Sequence, residues 1–291
     1  MSIDVLQERI RRFKNPTVLS LEPGPDAIPC FLLEEHPTRA QTLEAYCRGL
    51  LDGLKELVPG VKFSLPCFAA LGSEGIAVLE RTMSLAKELE YYVILEGLSG
   101  DWGIPAEAAA TGVFGEDTYY PCDGAIINGY CGSDGVKPYL PYCKEGRSLF
   151  VLVKSPNRSA VEIQDLLSGS RLVHTAMADL VNRWGADLYG KYGYSQVAAV
   201  VGASHSEALT ALRAKYDRTF FLVTGLEHPR VGSKNCQYAF DRFGHGAAVC
   251  AGPYILEAWR SQESDGRDYI QQAQEAARKL RKNLGNYVQI M

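Results

Sequence analysis

Eight short apolar runs, most of them without polar alternation, constrain this chain more than any other feature. They are Thr17–Leu21, Val61–Leu65, Tyr92–Leu95, Gly124–Ile127, Leu149–Val153, Val197–Val201, Phe220–Val223 and Ala247–Cys250. A strand with one wet face alternates apolar and polar residues. A run that stays apolar is a strand buried on both faces, as in a parallel sheet covered by helices. Between most of these runs lie segments of helical period, such as Glu74 to Glu90, with Ile76, Leu79, Met83 and Ala86 on one face, and Glu207 to Tyr216.

Strand and helix alternating eight times predicts an α/β fold of the TIM (β/α)8 barrel type over about residues 17 to 259. An amphipathic helix precedes it and a charged one, Asp268 to Leu284, follows it, so residues 1–291 are expected to form a single barrel domain with extra N- and C-terminal helices. A doubly wound open sheet is the rival, but it would carry a glycine-rich turn after its first strand. Here that strand runs into Leu21-Glu22-Pro23-Gly24-Pro25. The connection from Pro156 to Gln196 is long, with a second helix at Leu172 to Trp184 and a Gly/Tyr-rich stretch at Tyr189 to Tyr194. Connections of this size are usually lids or interface elements.

A formal net charge of -4 with 22% charged residues gives no basic footprint for nucleic acid. No apolar run approaches the roughly 20 residues of a bilayer span, and the first residues lack a signal-peptide core. The expectation is a cytoplasmic protein with no membrane or nucleic-acid partner, binding small molecules or a second copy of itself. The eight cysteines show neither CxxC nor Cys/His ligand spacing, so they read as reduced thiols and no metal site is expected.

Barrel active sites lie at the C-terminal strand ends. The residues found there are Glu22, Lys62, Glu96, Asp101, Asn128, Asp134, Lys154 and Asn157, with the loops after Val223 and Cys250. Lys62 follows one apolar residue inside a strand and points into the barrel mouth. Its burial there demands a carboxylate, which Glu96 or Asp101 can supply. Such a cluster is either an ion pair closing the barrel top or an acid/base set. Asn128 and Asn157 either bind a ligand or cap the following helices. For Lys154, one step of register decides between the mouth and the helices. None of the five histidines accompanies a serine or cysteine nucleophile motif, which argues against a catalytic triad.

The wording of the strand ends resembles the bacterial type 2 branch of the orotidine 5'-phosphate decarboxylases over nearly all of residues 14 to 259. Asn15–Pro23 is similar to that branch's opening, and Val61-Lys62-Phe63 with Phe68–Gly75 to its second strand and helix start. Phe150–Asp165 is similar to its Phe-Val-Leu-Val-Lys-Thr-Ser-Asn segment with the downstream Ile-Gln-Asp, and Val200–Ala208 to its sixth strand. The resemblance implies the barrel, a homodimer with shared active sites, and a decarboxylase ancestry without metal or cofactor. The family's third strand carries Asp-x-Lys-x-x-Asp, whose lysine protonates the carbanion left by carbon dioxide. Here the pattern is Glu96-Gly97-Leu98-Ser99-Gly100-Asp101, so Leu98 stands in the lysine's place. A family threonine is Pro105, the substrate-binding aspartate of the first strand is Glu22, and the pyrimidine-reading serine falls on Pro156 beside Ser155. The phosphate loop of the seventh strand has become Thr224–Arg230, with Glu227 and Pro229 in it, and the eighth-strand Ser-Arg has become part of Cys250–Pro253.

Lys62, Asp101, Asn128 and Asn157 remain at matching positions. The expectation is therefore a decarboxylase-like barrel inactive or very weak on orotidine 5'-phosphate, acting on or binding a different anionic ligand. Lys62, Glu96 and Asp101 form the residual catalytic cluster, and Glu22, Asn128, Ser155, Asn157, Gly225 and Arg230 the ligand contacts. Arg230, Lys234 and Arg242 are candidates for a weak anion site. Two alternatives stay open: a genuine decarboxylase with a divergent site, and a silent binding protein. An open, wet pocket holding a bound anion points to an enzyme, and a mouth plugged by Leu98, Trp102 and Pro156 points to the silent protein.

Overall fold

The computed structural model describes residues 2–24, 26–226, 231–261 and 265–291. Eight parallel strands close on themselves: β1 (Thr17–Leu21), β2 (Gly60–Ser64), β3 (Tyr92–Glu96), β4 (Gly124–Ile127), β5 (Ser148–Lys154), β6 (Val197–Gly202), β7 (Phe221–Thr224) and β8 (Ala247–Ala251). Each pairs with its sequence neighbours, and β8 returns to β1 through Thr17 opposite Val249 and Leu19 opposite Ala251. The chain thus has the TIM-barrel fold, and the open-sheet rival is excluded. All eight apolar runs are barrel strands because each is buried on both faces. One face packs against the surrounding helices and the other fills the interior.

That interior is a core of its own. Val18, Ile94, Ile126, Phe150, Ala198, Val200, Leu222 and Ala248 fill it from the strands, and Ile3, Leu6 and Ile10 enter from below. These three belong to the helix Ser2–Phe13, whose apolar stripe plugs the N-terminal end of the barrel. Hydrogen bonds fix the plug: the Ser2 hydroxyl donates to the Tyr92 hydroxyl at 2.8 Å, and the Ile3 and Gly246 amides donate to the Gln196 and Gln7 side chains. The second added helix, Tyr269–Gly285, packs against Arg39–Leu54 on the outside.

The long β5–β6 connection, whose length suggests a lid or an interface element, folds in two parts. Its first part forms a small antiparallel pair, Leu167–Ser168 with Arg171–Leu172, followed by the helix Val173–Trp184. Its Gly/Tyr-rich part lies at the bottom of the barrel, where the Lys191 and Tyr192 amides both donate to the Asp4 carboxylate at 3.1 Å. A Cβ on Gly190 would fall 2.4 Å from that carboxylate, so glycine is required for the approach. This stretch clasps the plug helix and does not cover the mouth.

Among the described residues, no helix is long and apolar enough to cross a membrane. Five of the eight cysteines are buried. Burial pushes the Cys122 and Cys143 thiols up to about 12. Since Leu6 is fully buried inside the barrel, Leu6→Ala should lower unfolding free energy by about 2–5 kcal/mol, measured by urea denaturation.

Candidate active site

The register of the first three strands builds the site. Ser20, Lys62 and Ile94 lie side by side across β1, β2 and β3, all facing inward. One inward layer higher, Ser64 is level with Glu96, and Glu22 follows directly on β1. Lys62 therefore starts one layer below two glutamates on the flanking strands, and its four-carbon stem carries the ammonium up between them. Its Nζ bonds to both Glu22 Oε1 and Glu96 Oε2. Ser20 adds a hydroxyl donor to Glu22 Oε1 at 2.5 Å.

Lys62 is 3% exposed. Burial alone would drive its pKa down, but the charges of Glu96 and Glu22 outweigh that and hold the ammonium above the ordinary lysine value. Burial pushes the Glu22 carboxyl up, and the Lys62 charge with the Lys62 and Ser20 hydrogen bonds overcomes it, for a net lowering. The Glu22 and Glu96 side chains keep 40% and 34% of their surface. The cluster thus joins a dry lysine to two carboxylates that still meet solvent.

Above it opens a cavity of about 530 Å³. Ile126, Ile127, Leu152, Val200 and Leu98 give it apolar walls; Ser20, Asn128, Ser155 and Thr224 add polar groups; and Pro156, Gly225, Cys250, Gly252 and Pro253 complete the rim. The mouth is not plugged: Leu98 and Pro156 line it, and Trp102 stands 64% exposed outside the lining. Pro156 packs so closely that a Cβ on Gly225, whose φ is +75°, would lie 2.3 Å from it. Gly225 therefore makes room for the rim. Proline at the first turn suits Pro105 and Pro253, which open the helices Ile104–Phe114 and Pro253–Leu256.

Of the expected site residues, Lys62, Glu96, Glu22, Asn128, Ser155 and Gly225 meet at this cavity, with Leu98 in its wall. Asp101 and Asn157 do not line it. Glu22 and Glu96 are the carboxylates on Lys62; no ion pair to Asp101 occurs among the described residues. The turn after Leu98 carries Asp101 away, to where its carbonyl packs on Gly135. Asn128 accepts from the Tyr130 amide at 3.0 Å, a local turn bond. Asn157 precedes a short 3-10 turn without a side-chain capping bond. Lys234 and Arg242 are exposed and do not line the cavity, while Arg230, like Glu227, lies outside the described residues.

Lys154 faces the helices. Strand alternation after Phe150 and Leu152 would send it inward, but a bulge between Leu152 and Lys154 resets the pairing to Val201, whose side chain faces outward. There Lys154 is ion-paired with Asp165, and that hydrogen bond holds the Asp165 carboxyl below its ordinary value. Sequence reasoning missed how Ser155 is held. The Gln164 side chain accepts from the Ser155 amide at 2.9 Å and donates to its hydroxyl at 2.8 Å, and His205 Nε2 faces the Ser155 carbonyl at 3.0 Å. The Ile163-Gln164-Asp165 wording was the available signal. Among the described residues, no group of three or more His, Cys, Asp or Glu side chains could hold a metal ion.

No protein-family model matches the chain. It is 28% identical over 287 residues to the orotidine 5'-phosphate decarboxylase of Clostridium perfringens strain 13, covering 98% of both chains. It is 28% identical over 274 residues to that of Caldicellulosiruptor bescii, covering 89% of this chain and 90% of the relative. Among solved structures, OMP decarboxylase from Leishmania donovani superposes with a TM-score of 0.74 at 23% identity, covering 97% of this chain and 98% of that one. The Plasmodium berghei enzyme gives 0.80 at 15% identity, covering 99% of each chain. At those identities the structural likeness is one of fold.

The Glu22 shift fixes a pH dependence. A carboxyl with a depressed folded pKa stabilises the fold above its unfolded value of about 4.3, and the contribution is lost as pH falls through the folded value. Urea midpoints should therefore fall on acidification below about pH 4.3 and fall less in Glu22→Gln. Identical acid limbs for the two proteins would contradict this assignment. Over nearly its full length the chain is similar in sequence to orotidine 5'-phosphate decarboxylases, and it shares the barrel fold of solved structures that bear that name.

Proposed function

We propose that this chain is a decarboxylase-like barrel that binds a small molecule at the Lys62–Glu22–Glu96 cavity and does not decarboxylate orotidine 5'-phosphate at a useful rate. The observation that carries this reading is Leu98 in the cavity wall, where the family pattern has its proton-donating lysine. Loss of carbon dioxide leaves a carbanion that needs both a proton and nearby positive charge, and a leucine provides neither. Losing a positioned proton donor costs ~10²–10⁴ in rate, and losing preorganised electrostatic stabilisation roughly 10²–10³. The two are not additive, yet the smaller is already severe. Lys62 is a poor substitute, since its proton is held between two carboxylates.

The relatives' shared name favours the second reading, a working decarboxylase with a divergent site. An assay of carbon dioxide release decides between them. The unmodified protein should show no turnover of orotidine 5'-phosphate above background, and Leu98→Lys should raise it. Robust turnover by the unmodified chain, abolished by Lys62→Ala, would establish the second reading.

We also propose a homodimer in which the Asp101–Trp102 loop reaches the partner's mouth. Trp102 at 64% and Ile104 at 80% exposure, beside the mouth loops, support it, since aromatic anchors are enriched at interfaces. Light scattering at micromolar concentration should report a dimer that Trp102→Ala weakens. A monomer there would contradict the assembly.

A further inference from the structure

Among the described residues, the charge balance around Lys62 points to a ligand class, an inference that rests on the reading above and departs from the anionic class the sequence suggests. Formally, one ammonium faces two carboxylates. Lys62 engages Glu22 Oε1 and Glu96 Oε2. The remaining oxygens, Glu22 Oε2 and Glu96 Oε1, accept no other hydrogen bond among the described residues, and both side chains keep about a third of their surface or more. No other cation appears among the described lining residues, and the walls are largely apolar.

We infer that this cavity takes a cationic, hydrogen-bond-donating small molecule with an apolar body, an amine or amidine, in preference to an anion. An anion entering here meets two carboxylates while the ammonium is already committed to them. In a half-desolvated site that repulsion is several-fold stronger than in water. A cation instead donates to the unengaged oxygens and brings the cluster to formal neutrality. An amidinium adds a planar pair of N–H donors that matches a carboxylate edge. Its hydrocarbon body has Leu98, Ile126, Leu152 and Val200 to cover it.

Benzamidine and benzoate are nearly the same shape and opposite in charge, so calorimetric titration of the unmodified protein with each isolates the sign of charge. Benzamidine should bind about tenfold or more tightly than benzoate. Glu96→Gln should reduce that preference, with a thermal melt confirming that the variant folds. Leu98→Lys, which adds a cation to the wall and removes no partner of Lys62, should bring the two affinities within about threefold. Benzoate binding as tightly as benzamidine overturns the inference. So does an absence of saturable benzamidine binding up to about 10 mM, or a preference that survives in both variants. The decarboxylation assay is separate: turnover of orotidine 5'-phosphate sinks the proposed function, whereas a failed charge preference sinks only the ligand class.

Discussion

The mouth of this barrel is organised around one buried ammonium. Lys62 sits on an inward strand position with 3% of its surface exposed, and an unpaired charge there would be prohibitively costly. It is tolerated because β1 and β3 each place a glutamate one layer above it. Removing one partner from such a cluster is destabilising, but the cluster itself is weak evidence of net stabilisation, since desolvation offsets much of the attraction. A structural and a ligand-binding role are therefore not exclusive. The same two carboxylates that keep Lys62 charged keep enough surface to meet a ligand.

The barrel separates stability from chemistry along its axis. Its lower end is closed by Ile3, Leu6 and Ile10 and fastened by Asp4 and the Gly190 turn, while the upper end is left open. That division is typical of the architecture, in which strand C-termini carry variable sites over a packed interior. It also explains how residues at the mouth can change without loss of fold. Leu98, Pro105 and Pro253 all occupy unstrained places here: an apolar wall and the first turns of two helices.

Beside the cavity runs a second polar layer. Gln164 and His205 grip Ser155 from behind, and Lys154 is paired with Asp165 on the outer face. Burial, together with the Lys154 charge, holds the His205 imidazole below its ordinary value. With Nε2 facing a carbonyl, which only accepts, that nitrogen carries the proton of the neutral ring. Ser155 is thus held at both its amide and its carbonyl, which fixes the rim of the cavity where β5 ends.

The strands were legible in the sequence because burial on both faces erases polar alternation, a property each run carries by itself. The two flanking helices were legible for the same local reason, through their period. So was the inward direction of Lys62, which strand parity dictates from its neighbours Val61 and Phe63. Parity failed for Lys154 because a bulge between Leu152 and Lys154 is set by the pairing with β6, not by the residues of β5. The choice of Glu22 and Glu96 over Asp101 was decided by tertiary structure as well. It depends on the stagger of β1, β2 and β3 and on the turn after Leu98, and neither is written in local sequence. The long β5–β6 connection read as a lid or an interface element from its length, but length fixes only how far a chain can reach. Packing against Asp4 decided which end of the barrel its Gly/Tyr-rich part would serve.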